Sequence, residues 1–186
     1  IARVALFGDM LAAATSDGVS FIKDGHIRSY RFADPAANVA TSLLQRGDLL
    51  LIGTRGGGLI AHDGRAFSYP TGFRDLTELK VTDIAPRGDG FALSTWDSGL
   101  YLYRDGEVSR RPEEGGPALE LALSGDTLYY ATPMAVKMAA PDGAARVVVP
   151  DAQATSLLAS GDVLYLACRN RGLLELREGR LRTISP

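Results

Sequence analysis

Gly47-Asp48-Leu49-Leu50-Leu51-Ile52-Gly53-Thr54-Arg55-Gly56-Gly57-Gly58-Leu59-Ile60-Ala61-His62-Asp63-Gly64 is the stretch that decides the fold of this chain. An almost unbroken apolar run, residues 49–53, starts at the Gly47-Asp48 turn and ends at Arg55-Gly56-Gly57. Residues 59–62 lead back to Asp63-Gly64, a hairpin dipeptide whose Gly tolerates the positive φ of primed turns. With residues 39–44 before it and 65–69 after it, the unit reads as four short strands.

The unit returns along the chain. Gly8-Asp9, Gly47-Asp48, Gly88-Asp89, Gly125-Asp126 and Gly161-Asp162 recur every 36 to 41 residues. Six positions after each Asp stands Thr15, Thr54, Thr95, Thr132 and then Cys168. Gly18, Gly58, Gly99 and Gly172 follow, whereas the fourth copy reads Ala135-Val136. Each copy ends on a hairpin dipeptide: Asp24-Gly25, Asp63-Gly64, Asp105-Gly106, Asp142-Gly143 or Glu178-Gly179. A fixed period with turn residues at fixed offsets marks a repeat architecture. The third copy divides into the same four strands, residues 81–84, 91–94, 100–103 and 107–110. Strands this short, with turns this frequent, point to an all-β protein. A sandwich does not repeat one unit at a fixed period, whereas four-stranded units of about 40 residues match propeller blades.

The inner strands are the most apolar, as at residues 155–158 and 163–166, and need cover on both faces. The fourth strand carries charge, as in Arg180-Leu181-Arg182, which protects an outer edge against pairing. No segment sustains a helical period. The expectation is an all-β β-propeller of five four-stranded blades, residues 1–38, 39–80, 81–118, 119–154 and 155–186, forming one domain or part of one. The first copy opens on its innermost strand and the last closes on its outermost, so no blade is completed from both chain ends. Five blades then make either a small closed ring or an arc of a larger one. An arc leaves two apolar faces in water, and the reading leans to an arc completed by further blades or segments. A start at Ile1 rather than Met suggests a processed or excised piece.

The run Leu51-Ile52-Gly53-Thr54-Arg55-Gly56-Gly57-Gly58-Leu59, followed by Asp63-Gly64, resembles the blade motif of two-component regulator propellers. Copies one, three and five resemble it more loosely, through Thr15-Ser16-Asp17-Gly18, Thr95-Trp96-Asp97-Ser98-Gly99-Leu100 and Cys168-Arg169-Asn170-Arg171-Gly172-Leu173. The Trp usual in the family before the Ile is Leu51 here. The motif is structural, so it implies the fold more directly than a function. The resemblance implies a bacterial sensor-type module in signal transduction, with a periplasmic or extracytoplasmic setting, and rings that often hold seven blades.

A net charge of −2 gives no long-range pull toward nucleic acid or an anionic membrane. No run of 18 apolar residues suggests a membrane span. One cysteine, Cys168, excludes an intramolecular disulfide framework and reads as a small packing residue in place of the repeat Thr. Gly56-Gly57-Gly58 lacks the Lys-Ser/Thr and the helix of a phosphate loop and reads as a turn. The Asp of each hairpin belongs to a separate blade, so calcium ligation is not expected. His26 and His62 have no ligand-spaced partners. The pattern calls for no metal and no cofactor.

The loops between the second and third strands of each blade, and the links between blades, share one face. That face and the channel mouth are the default binding site of such a fold. There the candidate ligand-binding residues are Arg55, Phe73, Arg74, Trp96, Asp97, Arg169 and Arg171. Asp34-Pro35 and Glu113-Glu114 lie in the same set of links. Trp96, the sole Trp, sits in a turn and suits either contact with a sugar or peptide or packing between blades. Arg55, Arg169 and Arg171 suit an anion through guanidinium forks, or plain solvation. The functional expectation is a non-catalytic binding or sensor propeller taking a protein, small-molecule or glycan ligand. The alternatives are a glycosidase- or lyase-type propeller enzyme with a channel-mouth carboxylate such as Asp97, and a purely structural interaction scaffold.

Overall fold

The computed structural model describes residues 2–111, 116–140 and 144–185; Glu113, Glu114 and the Asp142-Gly143 turn lie outside them. The first blade is β1 (Arg3–Phe7), β2 (Met10–Thr15), β3 (Gly18–Lys23) and β4 (His26–Tyr30). The second is β5 (Ala40–Arg46), β6 (Leu49–Thr54), β7 (Leu59–His62) and β8 (Phe67–Ser68). The third is β9 (Val81–Arg87), β10 (Gly90–Thr95), β11 (Gly99–Arg104) and β12 (Glu107–Arg111). The fourth is β13 (Leu121–Ser124), β14 (Thr127–Ala131), β15 (Ala135–Ala139) and β16 (Arg146–Pro150). The fifth is β17 (Ala154–Ser160), β18 (Val163–Cys168), β19 (Gly172–Arg177) and β20 (Arg180–Ser185). Each blade is a four-stranded antiparallel meander in chain order, and together they make a five-bladed all-β propeller fold.

The repeat residues have physical jobs. In blades one to four the hydroxyl of the repeat Thr donates across the β2–β3-type turn, Thr15 to Gly18 O, Thr54 to Gly58 O, Thr95 to Gly99 O and Thr132 to Ala135 O. The same oxygens accept from the backbone amides of Asp17, Gly57, Ser98 and Ala135. Each Thr therefore closes the turn it precedes. At Asp63 the carboxylate accepts from the amides of Arg65 and Ala66, at 2.8 and 2.7 Å, which fixes the outer hairpin. Gly18 could not be replaced freely: it holds φ 103°, and a Cβ there would meet the Tyr30 carbonyl.

Four hydrophobic clusters fill the four seams between successive blades. Phe7, Phe21, Leu50 and Ile52 join blades one and two; Leu51, Leu59, Phe91 and Leu93 join two and three. Leu100, Leu121, Leu128 and Tyr130 join three and four; Val136, Leu157, Leu164 and Leu174 join four and five. The innermost strands pack in succession, β1 on β5, β5 on β9, β9 on β13 and β13 on β17, with no comparable packing of β17 on β1. Among the described residues there is thus no fifth seam, and the five blades form an arc. Its end faces are wet and apolar: Val4 and Leu6 are 57% and 69% exposed on the first blade, and Leu158 is 62% exposed on the fifth.

Two blade links hold local structure, and the second corrects the sequence reading. In the link from blade one to two, Asp34-Pro35 begins a 3₁₀ turn, Pro35–Asn38, capped by the Asp34 carboxylate on the Ala36 amide. Phe73 is not on the binding face. It is fully buried in the second seam, 5.8 Å from the Phe91 ring and 6.0 Å from that of Tyr103, because the link from blade two to three turns this ring inward. Among the described residues no helix is long and apolar enough to cross a membrane.

Candidate functional site

The backbone ties the strand turns to the blade links and so builds one face. The Arg55 amide donates to Val39 O, that of Trp96 to Lys80 O and that of Arg169 to Gln153 O, at 2.9, 2.9 and 3.1 Å. Arg55 and Trp96 each follow a turn-closing Thr directly, so their Cα positions are fixed by Thr54 and Thr95. Two adjoining cavities open at this end of the channel. One, of about 570 Å³, is lined by Thr41, Arg55, Lys80, Val81, Thr82, Trp96 and Leu119. The other, of about 640 Å³, shares Arg55, Trp96 and Leu119 and reaches Glu120, Thr155 and Arg169. Blades two, three and five thus bring Arg55, Trp96 and Arg169 to one concavity, with Trp96 52% exposed.

The remaining sequence candidates are dispersed. Asp97 is next to this mouth but is paired with Lys80 at 2.9 Å and with the Ser98 hydroxyl at 3.2 Å. The Lys80 ammonium, above all, holds the Asp97 carboxyl below the usual carboxylate range. Arg171 lines a neighbouring hollow with Cys168 and Thr183, which shares only Arg169 with the mouth, and its guanidinium donates to Pro150 O at 3.4 Å. Arg74 is exposed outside both cavities, and Phe73 offers no surface. The Cys168 thiol is buried, and burial pushes its pKa up against the opposing charge of Arg171, the reverse of an activated nucleophile. His62 is buried as well, stacked on Phe67 at 4.3 Å with Nδ1 3.0 Å from Ala66 O.

A charged cluster absent from the candidates borders the second cavity through Glu120. The Arg3 guanidinium reaches across from the first blade to Glu120, with Asp83 3.5 Å away. Asp83 is buried, and its two oxygens accept from the amides of Ile84 and Leu121, both at 2.9 Å. Burial is the main influence on both acids and raises their pKa, against the pull of Arg3. At Glu120 the Asp83 charge adds to the rise. Burial also opposes the charge on Arg3, but the two carboxylates outweigh it and the guanidinium pKa rises. A sequence signal existed. Six positions before the Asp of each Gly-Asp turn stand Arg3, Ser42, Asp83, Glu120 and Ser156, one polar layer written into all five copies. Among the described residues no group of three or more His, Cys, Asp or Glu side chains is placed to hold a metal ion.

No protein-family model and no curated protein matches the chain. Solved structures share the fold. The extracellular domain of a proposed hybrid two-component system from B. thetaiotaomicron is 16% identical with a TM-score of 0.81, over 100% of this chain and 28% of that one. YCF48 bound to D1 peptide is 10% identical with a TM-score of 0.71, over 97% of this chain and 65% of that one. A chain of the mitotic checkpoint complex is 17% identical with a TM-score of 0.78, over 98% and 63%. This chain therefore spans only part of the length of these propeller-fold structures. The likeness to the two-component extracellular domain agrees with the resemblance carried by the Gly53-Thr54…Gly58-Leu59 motif.

Proposed function

We propose that this chain is a non-catalytic binding module of sensor or protein-interaction type, whose ligand or partner seats at the channel mouth against Trp96. The observation that carries this reading is the convergence of Arg55, Trp96 and Arg169, from three blades, on adjoining cavities. A half-exposed indole held by rigid turns is the kind of anchor that dominates binding energy. The fold likeness to a two-component extracellular domain and to a protein bound to a peptide supports the same reading. An enzyme would need a channel-mouth acid free to change charge. Asp97 is engaged by Lys80, which holds its carboxyl below the usual carboxylate range and so disfavours a general acid there.

Trp96 is the only Trp, so intrinsic fluorescence reports on this site alone. Peptide and glycan panels titrated against the protein are expected to yield binders that shift Trp96 emission. Trp96→Ala, titrated calorimetrically because it lacks the reporter ring, then weakens them by about 2 kcal/mol and leaves the circular dichroism unchanged. Binders that map to the Asp-Gly hairpins, or unfolding of Trp96→Ala, would sink the proposal.

A further inference from the structure

We infer that the mouth takes an acidic, partly apolar peptide segment, its carboxylates on Arg55 and Arg169 and an apolar side chain against Trp96. The inference rests on the reading of the mouth as a binding site and names its ligand chemistry. The charges lining the two cavities are Arg55, Lys80, Arg169 and Glu120. Two of these are already answered within the protein: Lys80 by Asp97, and Glu120 by Arg3. Among the described residues the guanidiniums of Arg55 and Arg169 have no hydrogen-bond or ion-pair partner. A chain of net charge −2 thus presents two unanswered positive charges at one concavity. Guanidinium forks match the planar geometry of carboxylates.

The walls between the cations decide between a peptide and an acidic sugar. Val81, Leu119 and the Trp96 ring supply apolar surface. Of the lining polar groups among the described residues, three hydroxyls already donate within the protein, Thr41 to Val81 O, Thr82 to Ala118 O and Thr155 to Ala167 O, which leaves the Gln153 amide as an open donor. A sugar ring presents many hydroxyls that need partners, and the three Thr hydroxyls have no donor left to offer it. An apolar side chain flanked by carboxylates matches apolar surface set between two cations.

The test uses short blocked peptides, one alternating Glu and Leu and one alternating Gln and Leu, beside an oligogalacturonate, each read by Trp96 emission and, for the variant that lacks this ring, by calorimetric titration. The Glu-Leu peptide is expected to shift the emission and to weaken about tenfold as salt rises from about 20 to about 200 mM. Arg55→Gln or Arg169→Gln is expected to cost about tenfold in affinity each, with Lys substitutions in between. Circular dichroism should show all four variants folded, since both side chains are exposed. Equal binding of the Gln-Leu peptide overturns the inference and leaves the mouth reading intact, as does preferential binding of the oligogalacturonate. If the Glu-Leu peptide binds Trp96→Ala and the double Arg55→Gln/Arg169→Gln variant as tightly as the unaltered protein, both readings fall. Absence of any emission shift at millimolar Glu-Leu peptide overturns the inference as well.

Discussion

The third and fifth blades carry the same innermost strand and meet different surroundings. In β9 the bulged Thr82 donates its hydroxyl forward to Ala118 O, beside blade four; in β17 the equivalent Thr155 folds back to Ala167 O of its own blade. Ile84 and Leu157 are both buried against the preceding blade. Ala85, one residue further, is buried in the next seam, whereas its counterpart Leu158 faces water. Leu100 and Leu173 repeat the contrast: each follows the repeat Gly, yet only Leu100 is fully buried. Each blade's sequence is suited to two neighbours, and the fifth has one. We propose that further blades of the same protein complete the ring over these faces.

The largest expected break in the comparison is at the polar layer. Asp83→Ala strands the buried amides of Ile84 and Leu121 and leaves Arg3 with Glu120 alone. Its expected cost in urea unfolding is about 3–5 kcal/mol, against about 0.5 kcal/mol or less for Ser156→Ala on the open fifth blade. The same layer sets a pH dependence. Asp83 and Glu120 have folded pKa values above their ordinary ones, so the folded state holds their protons more tightly than the unfolded chain. Stability from this pair is therefore greatest below pH about 4 and falls as pH rises through the ordinary carboxylate values toward the raised ones. The stability advantage of the unaltered protein over Asp83→Asn/Glu120→Gln should shrink as pH rises through that window. An advantage that grows instead would mean that Arg3 outweighs burial.

Next in size is the apolar contrast. Leu100→Ala is expected to cost about 2–5 kcal/mol, the price of a cavity in a closed seam. Leu173→Ala and Leu158→Ala should each cost about 0.5 kcal/mol or less. Equal costs in the isolated chain would show the fifth face already covered. In a longer protein that includes further blades, the cost at Leu158 should rise toward that at Leu100.

Much of this was legible in the sequence because turns are local. The Gly-Asp and Asp-Gly pairs, the strand limits at residues 49, 59 and 62, and the placement of Arg55, Trp96 and Arg169 in loops follow from neighbours in the chain. What was not legible depends on curvature. Arg3, Asp83 and Glu120 lie on three different blades and meet only because the arc bends their strands around one axis. Phe73 misled for a related reason. A Phe beside Arg74 and Asp75 in a link looks like a surface residue until the link is seen to fold over the second seam. The forward bond of Thr82 was invisible as well, since its acceptor lies 36 residues along the chain, in the link that leads to blade four.

The smallest expected effect tests the turn that carries the binding face. Thr95→Val removes a hydroxyl that donates to Gly99 O and accepts from Ser98 N, both beside Trp96, and should cost about 1–3 kcal/mol. It should also broaden the Trp96 environment, seen as a red-shifted emission, because the turn that fixes this ring is no longer closed. The fifth blade offers the reverse experiment. Cys168 pairs with Gly172 as Thr95 pairs with Gly99, yet a thiol is a poor donor to a carbonyl. Cys168→Thr restores the hydroxyl at a position whose backbone already matches the other blades. It should gain up to about 1 kcal/mol and hold the Arg169 turn more firmly. A loss of stability would show that the 168–172 turn has adapted to sulfur, and that the fifth blade differs from the third in its turn as well as in its missing neighbour.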